Sequence, residues 1–149
     1  MRVETYSDRY LQDVVRLIEA FHKEAVAEYD SEISSEALLE TIKAGNPENC
    51  FLLIVDDACQ GLIYGIRVRS HLNGKTIFQE VMWYVSKPYR RYGVRLLRKV
   101  ENILLLENVC VIIMVVLENS KTDKLKAFYQ RVGYRPMETH YVRNLNGMG

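Results

Sequence analysis

The sequence predicts an α/β fold in one domain, residues 1–149, with a mixed sheet of six or seven strands flanked by about four helices. Three observations lead to this class. Strand-like and helix-like segments follow one another along the 149 residues. The dipeptide Asn73-Gly74 separates two apolar runs, which predicts an antiparallel hairpin. A strand, a helix and another strand succeed one another over residues 77–117, which favours a parallel pair with a right-handed crossover.

The first third of the chain predicts one strand and two helices. Residues 2–6 alternate polar and apolar side chains, as in a short strand. Apolar residues then recur every three or four positions, so a helix should run from about Asp8 into the twenties. A second helix should follow Ser34 or Ser35, which can cap it, and should end at Gly45.

The middle of the chain predicts three antiparallel strands followed by a helix. The apolar run 51–55 is typical of a strand buried on both faces, and residues 61–68 and 76–85 form the predicted hairpin. A helix opens at Gly93 and should end near Asn108. Three antiparallel strands therefore precede the helix at the centre of the fold.

The last third predicts a strand, a helix and a final strand. Residues 109–117 are apolar enough for a core strand, and residues 120–123 resemble a capping box before the next helix. Gly133 supplies the stop of that helix. Residues 134–145 then favour a last strand or hairpin.

Composition excludes several classes of protein. Hydrophobic residues make up 48% and charged residues 26% of the chain, and the net charge is only +1. These values favour a soluble globular protein and give no global field that would attract nucleic acid or an anionic membrane. The amino terminus lacks the apolar region of a signal peptide, and the longest apolar run is too short to span a bilayer. We therefore expect a cytoplasmic protein without membrane contact.

The cysteines and histidines predict neither a disulfide framework nor a metal site. Three of each are present, they are scattered, and no Cys-x-x-Cys spacing occurs. Isolated residues of these types usually pack or face solvent. The six residues are Cys50, Cys59, Cys110, His22, His71 and His140.

A basic turn separates the third antiparallel strand from the helix at Gly93. Six Lys or Arg side chains lie between Lys87 and Lys99, with no acid among them. A helix N-terminus presents unpaired N–H groups and a positive dipole end, so cations added there favour a phosphate-bearing cofactor. Two alternatives stay open. The arginines keep the surface soluble, or the turn binds nucleic acid through its phosphates while Tyr89 and Tyr92 stack on bases.

Residues 85–97 resemble the coenzyme A pyrophosphate loop of the GCN5-related N-acetyltransferases (GNAT). The signature of that superfamily is Gln or Arg, two residues, Gly, one residue, then Gly or Ala. Arg90 and Gly93 match it, whereas Arg95 stands where the family has a small residue. Residues 127–136 are similar to the second recognisable segment of the family. The resemblance implies an acyl-CoA N-acyltransferase-like fold along nearly the whole chain, with acetyl-CoA as co-substrate.

The resemblance also implies a set of coenzyme-binding residues. Backbone N–H groups of the turn would hold the pyrophosphate, and those near Val85 would bind the pantetheine arm and the acetyl carbonyl. Asn119 matches a frequent coenzyme-contacting Asn, and Arg90 is the first choice among the arginines for a phosphate contact. The pyrophosphate-binding groups would come from Arg91, Tyr92, Gly93, Val94 and Arg95.

Two side chains are candidates for acid and base chemistry. Tyr129 matches the family position whose hydroxyl faces the coenzyme sulfur as general acid, although its spacing equally fits a core residue. Glu80 is the only carboxylate between Thr76 and Val100, and we expect Phe78 and Met82 as its same-face neighbours. Apolar surroundings would raise the pKa of Glu80 toward that of a useful general base. The alternative is a Glu paired with a local Arg or facing solvent.

The predicted reaction is direct transfer of an acetyl group from acetyl-CoA to a primary amine in a ternary complex. Neither motif contains a cysteine, which disfavours a covalent acetyl-enzyme. A GNAT-fold protein that binds coenzyme without catalysis is the alternative that Arg95 keeps open. Nucleic-acid binding would leave the second family segment unexplained, so we do not expect that partner.

The acceptor and the assembly are not specified by the sequence. The acceptor is a small-molecule or protein amine, and both a monomer and a homodimer stay open. An acidic run is either a solvated helix face or a wall that attracts a cationic amine. Its members are Glu24, Glu28, Asp30, Glu32, Glu36 and Glu40.

Overall fold

The computed structural model describes residues 1–26, 34–45, 47–117, 121–141, 143 and 145. They belong to two compact units, Met1–Val115 and Val116–Gly149. The first unit contains five strands and three α-helices, and the second contains one α-helix, counted over the described residues. The strands are β1 (Arg2–Thr5), β2 (Cys50–Val55), β3 (Ala58–Arg69), β4 (Thr76–Val85) and β5 (Val111–Ile113). The helices are α1 (Leu11–Phe21), α2 (Ser35–Gly45), α3 (Gly93–Leu106) and α4 (Thr122–Arg131).

The five strands form one mixed sheet in the order β1-β2-β3-β4-β5. The first three pairings are antiparallel and β4 pairs with β5 in parallel, so the predicted mixed α/β class is confirmed. The described strand count is smaller than the predicted six or seven. Residues 134–141 form no strand, so the last predicted strand is wrong there. Residues 135–141 are exposed and Pro136 lacks an N–H group, so no buried face supports strand pairing.

Helices cover both faces of the sheet in the first unit. On one face, buried side chains of α1 and α2 pack on the sheet in a cluster that includes Leu17, Ile42 and Tyr64. On the other face, Phe51 and Phe78 meet with ring centroids 6.0 Å apart. The buried residues of α3 are Gly93, Leu96, Leu97, Val100 and Leu104. Burial of these apolar surfaces on both faces is the main stabilising contribution to the unit.

Several helix and hairpin ends agree with the sequence. The hydroxyl of Ser34 accepts the N–H of Ala37 at 3.1 Å, which caps α2 as predicted. Asn108 has φ 66°, and the N–H of Val109 bonds to the carbonyl of Leu104 at 3.0 Å, which ends α3. The β3–β4 hairpin is confirmed, with Gly74 at φ 71° in a loop over residues 70–75.

A β-bulge in β4 changes which residues share a face. Tyr64 pairs with Met82 but the next residue, Gly65, pairs with Glu80, so Val81 is the extra residue of the bulge. Because directly opposed residues share a face, Met82 lies on the α1 side with Tyr64, and Glu80 lies on the opposite side. The expected same-face placement of Glu80 and Met82 is therefore wrong.

Candidate active site

The strands β4 and β5 separate at Glu80. They pair over only three positions, and the last pair joins Gln79 to Ile113. Strand β4 continues for six more residues to Val85, whereas β5 has ended. Beyond Gln79, β4 therefore has backbone groups on its β5 side that its pairing with β5 does not use. Such groups are available to an extended ligand that approaches this edge.

The carboxyl group of Glu80 is buried at this point of separation. The residue is only 7% exposed, and the backbone N–H of Val115 donates a hydrogen bond to the carboxyl. Burial raises the pKa of Glu80 from the ordinary 4.5 to about 8, and the Val115 hydrogen bond opposes this increase. The expected raised pKa is thus borne out, and the use of Glu80 as a base stays a prediction.

The basic turn is a 3-10 helix, Lys87–Tyr92, that leads directly into α3. The N–H of Gly93 donates to the carbonyl of Arg90 in this turn. Gly93 has an ordinary helical φ of −57°, and a β-carbon placed on it would meet only Trp83 Cζ2, at 3.8 Å. Neither the backbone conformation nor internal packing therefore requires a glycine at position 93. Close approach of a ligand to the backbone is one physical reason for a glycine at this position.

The guanidinium of Arg90 is engaged within the protein. Its Nε donates to the Val85 carbonyl at 3.1 Å and its Nη2 donates to Glu24 at 2.8 Å. The Tyr84 hydroxyl donates to the same carboxylate at 2.8 Å. Burial raises the pKa of Glu24, but the hydrogen bonds from Arg90 and Tyr84 outweigh it and hold the pKa below its ordinary value. Glu24 is therefore an ionised partner of Arg90 at neutral pH.

The acidic residues between Glu24 and Glu40 do not share one environment. Glu24 is neutralised by Arg90, with the Lys87 ammonium 3.7 Å away. Glu36 and Glu40 are exposed on α2. The remaining members, Glu28, Asp30 and Glu32, lie outside the described residues. An attraction of this run for a cationic acceptor stays a prediction.

The other arginines of the turn face solvent. Arg91 lies with its guanidinium carbon 4.6 Å from the ring centroid of Tyr92, and its Nη1 donates to the Pro88 carbonyl at 2.7 Å. Arg95 is exposed in the first turn of α3 and forms no hydrogen bond or ion pair with the described residues. Arg95 is thus free to contact an anion, whereas Arg90 is already paired with Glu24.

The remaining predicted residues belong to the second unit. Tyr129 lies on α4 and is 6% exposed. Its ring packs between Phe128 and Tyr134, with centroid distances of 5.7 and 5.4 Å, and its carbonyl accepts the Tyr134 N–H at 2.8 Å. Asn119 lies outside the described residues. The roles of Tyr129 and Asn119 stay predictions.

Metal-binding clusters and membrane-spanning helices are absent from the part of the chain that the structure describes. In the described ranges, no group of three or more His, Cys, Asp or Glu side chains is arranged to hold a metal ion. None of the helices described is long and apolar enough to cross a membrane. All three cysteines are free thiols, with Cys50 and Cys59 buried and Cys110 exposed.

Comparison with known proteins identifies the fold. No family model matches the sequence, and no curated protein matches it. Solved structures do match over nearly the whole chain. A ribosomal-protein-alanine N-acetyltransferase from Brucella melitensis biovar Abortus 2308 superposes with a TM-score of 0.74 at 11% identity, covering 97% of this chain and 100% of that one. This chain has the fold of the GNAT acetyltransferases.

Two other structures with the GNAT fold match equally broadly. An aminoglycoside acetyltransferase from an uncultured soil metagenomic sample, solved with trehalose, gives a TM-score of 0.73 at 15% identity. It covers 97% of this chain and 95% of its own. A GNAT family acetyltransferase from Staphylococcus aureus gives 0.69 at 15% identity, covering 97% and 98%. At these identities the likenesses show the fold and leave the activity and the acceptor open.

Sequence reasoning missed the contacts of three residues at the candidate site. Trp83 is the side chain nearest to an added β-carbon at Gly93, and Tyr84 with Glu24 holds Arg90. Glu24 and Arg90 are 66 positions apart, so no local pattern could pair them. Tyr84 and Trp83 looked like ordinary strand residues. Consecutive strand residues lie on opposite faces, but which face each of the two occupies depends on the bulge at Val81.

Proposed function

We propose that this protein is an acetyl-CoA-dependent N-acetyltransferase that acetylates a primary amine by direct attack in a ternary complex. The observation that carries the proposal is Glu80. It places a buried carboxyl group with a pKa of about 8 where β4 and β5 separate, in a fold shared with acetyltransferases. A carboxyl of this pKa is ionised in part near neutral pH and mostly above pH 8, and its ionised form can remove a proton from an amine.

The turn after β4 fits the nucleotide part of acetyl-CoA. Gly93 places no side chain at the start of α3, where the helix dipole favours an anion such as a pyrophosphate. The exposed Arg95 adds a cation at the same end. The 3-10 hydrogen bond from Gly93 to Arg90 is of the weaker helical type, so a phosphate oxygen can compete for that N–H group.

Three groups of the chain would then carry out the transfer. Glu80 accepts a proton from the ammonium form of the acceptor, because a protonated amine cannot attack a thioester. Backbone N–H groups near Val85 stabilise the oxyanion that forms as the nitrogen–carbon bond is made. Tyr129 donates a proton to the sulfur as the carbon–sulfur bond breaks, and the second proton that the nitrogen loses returns to Tyr129. The products are the acetylated amine and free CoA.

Ligand-induced stabilisation provides the first test. A ligand that binds only the folded state raises the melting temperature by mass action. We expect acetyl-CoA and CoA to raise it, and NAD and a short DNA duplex to leave it unchanged. A panel of polyamines, aminoglycosides and amino-terminal peptides, assayed for CoA thiol release, then identifies the acceptor. No shift with millimolar acetyl-CoA, together with tight DNA binding, would reverse the proposal.

Gly93→Ala tests the coenzyme site directly. The added methyl group fits within the protein at ordinary contact distance, and alanine favours a helix over glycine by about 0.5–1 kcal/mol. We therefore expect unchanged or slightly higher thermal stability but at least a roughly tenfold loss of acetyl-CoA affinity by titration calorimetry. The control is Val94→Ala, which removes atoms from the same exposed turn. Equal acetyl-CoA affinity in Gly93→Ala and wild type would exclude close approach at this position.

A further inference from the structure

The carboxylate of Glu24 joins three elements of the first unit. It lies in a π-helical turn, His22–Val26, that continues α1. It accepts hydrogen bonds from Tyr84 on β4 and from Arg90 on the 3-10 turn, both at 2.8 Å. π-Helical turns are rare and occur frequently at functional sites. The end of α1 is thus bonded both to the end of β4 and to the basic turn.

Arg90 is held by more than its ion pair. Its Nε donates to the Val85 carbonyl at 3.1 Å, and its guanidinium carbon lies 5.6 Å from the centroid of the Tyr84 ring. A planar guanidinium that bonds a carboxylate and a carbonyl at once has a fixed orientation and a compensated charge. Glu24 accepts one N–H of the Nη2 of Arg90, so the charge of this guanidinium is already paired when a phosphate approaches.

The group that Arg90 holds is the peptide link between β4 and the turn. Arg90 bonds the carbonyl of Val85, while the N–H of Ser86 donates to the Gln60 carbonyl at 2.8 Å. The carbonyl of Ser86 in turn accepts the Tyr89 N–H at 2.8 Å. This link is therefore fixed from both sides, at the place where backbone groups would meet the coenzyme. Small displacements of such groups can lower the rate of a reaction strongly.

We propose that Glu24 and Arg90 form a positioning pair for the transfer reaction. Arg90 acts through the Val85 carbonyl and not through contact with a phosphate, and Glu24 keeps the Arg90 guanidinium in place. This role rests on the proposed acetyl-CoA-dependent function. In this role Arg90 bonds the protein backbone at Val85, and Arg95 is the arginine that contacts the anion.

A double-mutant cycle tests the pair. The variants are Glu24→Gln, Arg90→Ala and the double variant, with acetyl-CoA affinity measured by titration calorimetry. We expect each single variant to weaken binding about fivefold or more, and the double variant to be no weaker than either, since coupled residues are not additive. The control cycle uses Arg98→Ala and Glu101→Gln, an ion pair of 2.9 Å on α3. It should change affinity by less than about twofold.

Arg90→Lys separates positioning from phosphate contact. A lysine keeps the charge but cannot bond the Val85 carbonyl and Glu24 with one planar group. Positioning therefore predicts that Arg90→Lys loses as much affinity as Arg90→Ala, with little dependence on ionic strength. A phosphate contact predicts that Lys retains most of the affinity, and that the loss in Arg90→Ala adds to that of Glu24→Gln and is largest at low salt. That second result would overturn the proposal.

Amide hydrogen exchange supplies a measurement without ligand. In the positioning pair variants, exchange at Ser86 and Tyr89 should become about fivefold faster or more, because local opening requires less free energy. Arg98→Ala should leave both amides unchanged. Unchanged exchange and affinity would make Glu24 and Arg90 an ordinary surface ion pair and refute the proposal. If the wild-type protein does not bind acetyl-CoA, the proposed function itself is refuted. The pair then has no role in transfer, even if amide exchange is faster in the variants.

Discussion

Replacing Glu80 by glutamine should change how the stability of the protein depends on pH. Glutamine has nearly the same shape, stays neutral, and can still accept the Val115 N–H. The folded protein holds the Glu80 proton up to about pH 8, whereas the unfolded chain releases it near 4.5. Between these values the unfolded state binds fewer protons, so the wild-type free energy of unfolding falls as pH rises. The contribution of Glu80 is therefore complete below about pH 4.5 and lost through pH 8.

The size of the effect follows from the two pKa values. Each pKa unit corresponds to about 1.4 kcal/mol. The difference between 4.5 and about 8 therefore gives an upper bound of about 5 kcal/mol for the stability that wild type loses relative to Glu80→Gln. Both proteins should be affected equally by groups other than Glu80, so the difference between them isolates this carboxyl group.

Urea unfolding at pH values from 5 to 9 measures this difference. The single tryptophan, Trp83, lies three positions from Glu80 on β4 and reports on the sheet by fluorescence. The control variant is Glu40→Gln, an exposed glutamate on α2. We expect the stability of Glu80→Gln to rise steadily above wild type with pH, and the control to run parallel to wild type. If the free energy of unfolding of Glu80→Gln also runs parallel to that of wild type across this pH range, within about 0.5 kcal/mol, the Glu80 carboxyl is not held protonated and the reasoning is refuted.

Three further substitutions test other parts of the structure. Tyr129→Phe should lower kcat by roughly tenfold or more with little change in acetyl-CoA affinity, and an unchanged kcat at saturation would remove Tyr129 from the reaction. Gly65→Ala should destabilise the protein by about 1–3 kcal/mol in urea unfolding, because its β-carbon would lie 2.5 Å from the Gln79 carbonyl oxygen and from Phe78. Wild-type stability would show that the bulge can shift. Asp57→Gly should raise the free energy of unfolding by about 0.5 kcal/mol, because Asp57 has φ 62° in a two-residue hairpin turn, and a lower value would indicate a stabilising role for its side chain.

The order of elements was predictable because it depends on local patterns. Each of these patterns acts within a few residues. They are the helical spacing of apolar residues in α1, the serine cap of α2 and the glycine-containing β3–β4 loop. The strand after α3 was predicted over residues 109–117 but is confined to Val111–Ile113. An apolar run favours burial, but it does not specify how many of its residues find a pairing partner, because that depends on where β4 turns away.

The candidate site was predictable only in part. Glu80 was identified because a lone carboxylate in an apolar strand must be protonated or paired, and burial did raise its pKa. The engagement of Arg90 by Glu24 was not predictable, since it depends on where the end of α1 comes to lie against β4. The bulge was also missed. One extra residue does not visibly change the hydrophobic pattern of a strand in which nearly all the surrounding residues are apolar.

The bulge at Val81 makes β4 unequally tolerant of two kinds of genetic change. Val81 is 44% exposed, so most substitutions there should leave the fold intact. Deleting this one codon would instead restore regular alternation and move every later side chain of β4 to the other face, Trp83 toward α1 and Tyr84 toward α3. The number of residues between Glu80 and the basic turn should therefore vary less during evolution than the identity of those residues.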